Sequence, residues 1–181
     1  MYETTFRILE TQDEHFYEKD LFSYHWALNG LGLSDVVLKK LSEKLDLEDL
    51  IIFEGWQDVS LFPSYIISSS VCISPLKRNK HHDTTYANKI FQYMAMGKPV
   101  VVSDCPPQAE VVINEKAGLV HEAENPQDLA DKIFKLYSDE VLINEMGENA
   151  SRAVRQKWNW ENTSRDFIQM YKTIETNITK D

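Results

Sequence analysis

Thr84, Asn88, Lys89 and Gln92 are four polar residues at a place where the chain turns helical, and their spacing suits the binding of a phosphorylated sugar. Thr84, Asn88 and Gln92 are four apart, so a helix carried back through Thr84 stacks them on one face with Lys89 beside them. Ile90, Phe91 and Met94 then point elsewhere. The first backbone amides of a helix lack intrahelical partners and carry the positive end of its dipole, which favours an anion. Those amides and Lys89 can hold phosphate oxygens while Gln92 meets sugar hydroxyls. The same residues also fit a solvated helix face with a cap, and periodicity alone does not separate the two readings.

A helix used in this way needs a buried strand in front of it. Val71-Cys72-Ile73-Ser74 is an apolar run closed by Pro75, and Lys77 to Thr85 reads as a loop. Helical spacing predicts a helix over Tyr86 to Met96, stopped by Gly97 and Pro99. Val100-Val101-Val102-Ser103 is a β-branched run of the kind buried on both faces of a parallel sheet. A short helix follows from Gln108 to Asn114 once Pro106 and Pro107 have made a turn, and Gly118-Leu119-Val120 is a last short strand. Asn125 caps a helix with Pro126 at its first position, running to about Tyr137. Further helices are expected from Asp139 to Lys157 and from Glu161 to Asn177, with Trp158-Asn159-Trp160 between them.

Upstream, Tyr24 to Leu28 is a short apolar run before the turn Asn29-Gly30-Leu31-Gly32, and a helix follows from Ser34 to Leu45. On it Leu38, Leu41 and Leu45 share one face. Leu50 to Phe53 reads as a strand ending at Glu54-Gly55, and a short helix within Asp58 to Tyr65 is interrupted at Pro63. A strand is expected near Thr5 to Glu10. Strands alternating with helices at this spacing predict an α/β fold: a doubly wound, Rossmann-like parallel sheet in a single domain. Residues 24–181 are read as that domain, with helices at its C-terminal end, and 1–23 as an N-terminal segment that can supply a first strand. In such sheets ligands bind beyond the carboxyl ends of the strands, here after Leu28, Phe53, Ser74 and Ser103.

Composition narrows the function classes. The chain of 181 residues has 19 basic and 29 acidic side chains and a net charge of -10, which repels a nucleic-acid backbone. No apolar run reaches the roughly 18 residues of a membrane span, and the polar, acidic start does not read as a secretory signal. A cytoplasmic setting is expected. Cys72 and Cys105 lack metal-ligand or redox spacing and read as plain buried thiols. His81, His82 and Asp83 are adjacent residues and so converge poorly on one ion.

The run from Asn88 to Asp104, with Gly97-Lys98-Pro99 inside it, resembles the donor-site helix and following strand of the retaining glycosyltransferases called group one, or family four. Gly30-Leu31-Gly32, Ile52-Phe53-Glu54-Gly55, Val71 to Pro75, Ala117 to Val120, Asn125 to Ala130 and Trp160 resemble further parts of that family in the same order. The resemblance implies the carboxy-terminal half of a GT-B enzyme, which grips a nucleoside-diphosphate sugar as donor substrate and uses no cofactor or metal. It implies donor contacts at Gly55, Trp56, Gln57, Asp83, Thr84, Thr85, Tyr86, Ala87, Asn88, Lys89 and Gln92. The family carries two acids eight apart in this loop; here those places hold Thr84 and Gln92. Glutamine can still exchange hydrogen bonds with ribose hydroxyls. Threonine at the first place departs from the usual contact to the transferred sugar, with Asp83 or His82 as substitutes.

The family also holds the diphosphate with an arginine and lysine pair. Arg7 and Lys19 match only by type, and Lys77, Arg78, Lys80 and Lys89 are alternative cations. No catalytic residue is assigned. The reading implies transfer with retention to an acceptor held by an N-terminal domain of the full-length protein, no activity in this chain alone, no nucleic-acid partner, and membrane contact only through that other domain. The alternative is a noncatalytic α/β nucleotide-binding or interaction module in which Thr84 and Gln92 record lost chemistry.

Overall fold

The computed structural model describes residues 26–29, 33–55 and 57–178. The expected strand over Thr5 to Glu10, the Gly30-Leu31-Gly32 turn, Arg7, Lys19 and Trp56 lie outside the described residues. Five strands and eight helices follow in order: β1 (Trp26–Asn29), α1 (Leu33–Lys44), β2 (Ile51–Gly55), α2 (Phe62–Ile67), β3 (Cys72–Ser74), α3 (Asn88–Ala95), β4 (Val100–Ser103), α4 (Pro106–Asn114), β5 (Gly118–His121), α5 (Pro126–Tyr137), α6 (Glu140–Gln156), α7 (Trp160–Thr163) and α8 (Arg165–Ile178). The protein is an α/β domain in which every described strand pair is parallel. The ladders form two pieces, β1-β2 and β3-β4-β5.

Helices cover both faces of the larger piece, because successive strand residues point to opposite sides. Cys72, Val100 and Val102 pack against Ile90, Tyr93 and Met94 of α3, Val111 and Val112 of α4, and Ala150 of α6. Val71, Ile73 and Val101 face Ile133 and Leu136 of α5, with Leu142, Ile143 and Met146 of α6 beside them. All four residues of β4 are buried, as the β-branched run predicts. By contrast, Leu38 and Leu41 on α1 and Leu45 just beyond its end stay substantially exposed.

Local chemistry sets most of the helix ends. Gly97 ends α3 at φ +71°, and the Lys98 amide reaches back to the Tyr93 carbonyl at 3.1 Å. Asn125, Asp139 and Asn159 cap α5, α6 and α7 by accepting from Asp128, Leu142 and Asn162 amides. Three expectations need correction. Pro63 opens α2 at its first turn, where its missing amide costs nothing, so it starts a helix instead of interrupting one. Pro106 and Pro107 likewise form the first turn of α4, which begins two residues before Gln108. The last helix is two: the Ser164 amide closes α7 on the Trp160 carbonyl, and α8 starts at Arg165.

Candidate functional site

At the carboxyl ends of β3 and β4, α3 begins with extended Ala87 (ψ 105°), and no side chain caps it. Asn88 and Gln92 are exposed on one side of α3, while Lys89 is only 7% exposed. Lys89 therefore does not share the solvent-facing side with Asn88 and Gln92. Thr84 is not on this helix either. Its hydroxyl donates to the Lys80 carbonyl at 2.7 Å and its amide to His81 at 3.2 Å, so it closes a turn of its own before the chain straightens at Ala87. The four-apart stack of Thr84 with Asn88 and Gln92 is thus corrected to a stack of two.

Tyr86 sits in an aromatic group with Phe91 and Trp158, the ring centroids lying 6.0, 5.8 and 5.3 Å apart. Trp158, which the sequence offered only as a helix separator, donates its indole N–H to Glu115 at 2.9 Å, and Lys157 binds the same oxygen at 2.6 Å. Burial pushes the Glu115 carboxyl up, but these hydrogen bonds and the Lys157 charge outweigh it and leave the carboxyl below the ordinary glutamate range. A depressed carboxyl contributes stability above its unfolded-state pKa and loses it as pH falls through the folded one. The melting-temperature gap between wild type and Glu115→Gln should therefore be widest near neutral pH and shrink on acidification below the ordinary glutamate range. A gap that grows with acid would contradict the assignment.

The loop before α3 is held by charge. Arg78 clamps Asp83 and lies 3.7 Å from Asp104, while Lys77 meets Glu124 at 3.1 Å. Asp104 also accepts from the Ala123 amide at 3.1 Å, so the loops after β3, β4 and β5 are tied together. His82 binds within its own turn, its ring Nδ1 lying 2.7 Å from the Lys77 carbonyl and its amide donating to Asn79. Among the described residues no three His, Cys, Asp or Glu side chains are grouped to hold a metal ion. Thr85 and Asn88 are exposed. Gly55 ends β2, and half-buried Gln57 donates to the Glu54 carbonyl at 2.7 Å.

Below the rim lies a residue that sequence reasoning passed over. Gln108 of α4 is buried, and its amide N–H groups reach the Ser74 carbonyl (3.2 Å), the Ser103 carbonyl (3.1 Å) and the Ser103 hydroxyl (2.8 Å). The Ser74 hydroxyl donates back at 3.0 Å. One side chain thus joins the ends of β3 and β4 to α4. Both cysteines are buried thiols, and burial pushes Cys72 up to about 12 and Cys105 upward as well. A cleft of about 1490 Å³ lies at the opposite end of the sheet, lined by Ser69, Lys98, Gly147 and Arg152 among others. It holds none of the expected site residues, and α/β sheets bind ligands at the carboxyl ends of their strands, so the rim is the better candidate.

A sequence profile described as "Glycosyl transferases group 1" matches residues 18–139. An uncharacterized glycosyltransferase of Methanocaldococcus jannaschii is 24% identical over 137 residues, covering 76% of this chain and 34% of that protein. Among solved structures, sucrose-phosphate synthase from Thermosynechococcus elongatus superposes with a TM-score of 0.74 at 21% identity, over 86% of this chain and 39% of that one. Anabaena HepE in complex with UDP-glucose superposes at 0.71 and 20% identity, over 81% of this chain and 40% of that one. The chain thus spans well under half the length of these proteins, and the structural likenesses show a shared GT-B fold. Among the described residues no helix is long and apolar enough to cross a membrane.

Proposed function

The chain belongs to the group 1 glycosyltransferases, and from that membership we propose that it binds a nucleoside-diphosphate sugar at the start of α3 and serves the transfer of that sugar with retained configuration. The observation that carries the reading is the uncapped start of α3 beside the carboxyl ends of two buried strands. Its free amides hold the diphosphate and stabilise the charge that develops as the sugar leaves. Gln92, exposed one turn along the same side as Asn88, meets the ribose. The complexes of HepE with UDP and UDP-glucose support a sugar nucleotide as the ligand. The chemistry uses no resident cofactor or metal, and the setting is the cytoplasm.

The acceptor belongs to a second, N-terminal domain of the full-length protein, without which this chain is inactive. Phe167, Met170, Tyr171 and Ile174 support this: they recur at helical spacing along α8 and are about half exposed (47% to 57%). An apolar stripe of that size suits a domain contact.

Calorimetry with UDP, GDP, ADP and their sugars is the test. Weak binding of at least one is expected, unchanged by EDTA, and no binding by any at millimolar concentration would sink the reading. Gln92→Ala should weaken that binding by about 1 kcal/mol while the melting temperature stays put, since an exposed side chain is lost. Unaltered affinity would place Gln92 outside the site.

A further inference from the structure

The cleft at the amino ends of the strands has a charge pattern of its own. The turn Gly97-Lys98-Pro99 lines it, and α6 crosses this turn so closely that a Cβ on Gly147 would stand 2.4 Å from the Gly97 carbonyl oxygen. Asn144, Gly147, Ser151 and Arg155 recur at spacings of three and four, so one side of α6 forms a wall. Ser70, just ahead of β3, lines the cleft as well. We propose that this cleft binds an anionic carbohydrate longer than one sugar, at a site separate from the rim where α3 begins.

Charge, lining and size carry it. Lys98, Arg152 and Arg155 line the cleft, and none of them forms an ion pair among the described residues, whereas Lys77 and Arg78 at the rim are paired with acids. Arg152 donates within α6 to Asn149. The acids of the cleft, Glu140 and Glu148, lie nearer the start of α6. At 1.5 Å per residue Glu140 is roughly 22 Å from Arg155 along the helix axis, so the two ends of the cleft differ in sign. In a chain of net charge -10 only such a local group of cations can hold a polyanion. Guanidinium forks pair with carboxylate, sulfate and phosphate groups, while Ser70, Ser151 and Asn144 offer partners to sugar hydroxyls. Apolar side chains are a minority of the lining, which leaves a peptide without anchors. At about 1490 Å³ the cleft exceeds the roughly 300 to 1,000 Å³ of a small-molecule pocket, so the ligand is an oligomer.

The test uses the full chain in calorimetry, with hexagalacturonate as the acidic probe, maltohexaose as the neutral one and inorganic sulfate as the bare anion. Hexagalacturonate should bind, more weakly as salt rises, and maltohexaose and sulfate should each bind about tenfold more weakly or worse. Combining Arg152→Gln with Arg155→Gln should weaken hexagalacturonate about tenfold or more, and Lys98→Gln, on the turn that α6 crosses, should weaken it independently. Matching thermal transitions among these proteins exclude misfolding as the cause. No binding of hexagalacturonate overturns the proposal, as does full affinity in the arginine double variant. Sulfate binding as tight as that of hexagalacturonate overturns the carbohydrate assignment. Displacement of hexagalacturonate by millimolar UDP would put the glycan at the rim and overturn the separate site. Hexagalacturonate binding that depends on these cations, without any binding of UDP, keeps this site and defeats the donor reading alone.

Discussion

Gly118→Ala should be strongly destabilising. A Cβ at residue 118 would stand 1.8 Å from the Val100 carbonyl oxygen and under 3 Å from the Val100 backbone carbon and nitrogen. These atoms belong to β4, whose residues are all buried, so no side chain can swing aside to make room. The alternative is to open the β4-β5 ladder at its first pair, Val100 with Gly118. Overpacking a core costs about 1 to 3 kcal/mol when side chains can adjust, and a backbone collision belongs above that range, at about 4 kcal/mol or more. For a domain whose whole stability is of order 5 to 15 kcal/mol, that means a melting temperature lower by about 10 °C or more, or no cooperative transition. Gly147→Ala is the milder companion: its Cβ would meet the Gly97 carbonyl oxygen at 2.4 Å, where α6 crosses the turn after α3, and α6 can slide away. A Gly118→Ala protein that melts within a couple of degrees of wild type would show that β5 is not registered on β4 in this way.

Gln108→Leu should cost about 3 kcal/mol, although it keeps an apolar-compatible size in a buried place. The loss comes from what stays behind: the carbonyls of Ser74 and Ser103 and the Ser74 hydroxyl lose their partner while buried. Unsatisfied buried groups cost about 1 to 3 kcal/mol each, and partial relaxation keeps the total below the sum. Gln108→Glu is the sharper variant. Its carboxylate cannot donate to two carbonyls, and burial opposes its charge, so it should be more damaging at pH 7 than near pH 5. Thermal melts of the two variants at both pH values check this. Equal melting temperatures for wild type and Gln108→Leu would mean that the strand ends find other donors.

The elements that read cleanly from the sequence are those whose cause is local. Val100 to Ser103 announces a two-sided buried strand by its β-branching, Gly97 announces a stop that needs positive φ, and Asn125-Pro126 is a cap followed by a residue that needs no amide partner. The errors have a different origin. Whether Pro63 breaks or opens a helix depends on where the turn before it ends, which a short turn at Val59–Leu61 decides. Thr84 fell out of the α3 stack because its hydroxyl prefers the Lys80 carbonyl, a competition that periodicity does not register. The sequence marks Gln108 only as the start of a short helix, and the meeting of three elements is what buries it. The shared side of Asn88 and Gln92 follows from their four-residue spacing, whereas Arg78 with Asp104 joins positions too far apart in the chain for spacing to suggest.

The salt bridges and the amide contact at the rim bear on how such a domain can be re-engineered. Lys77 with Glu124, Arg78 with Asp83 and Asp104, and Asp104 with Ala123 make three loops hold one another's shape. The segment before α3 is therefore not an interchangeable cassette. Transplanting it from a relative to change the preferred ligand would bring in a loop whose tethers lie at residues 104 and 124 of the host, and it would settle into a different conformation unless those two positions were exchanged along with it.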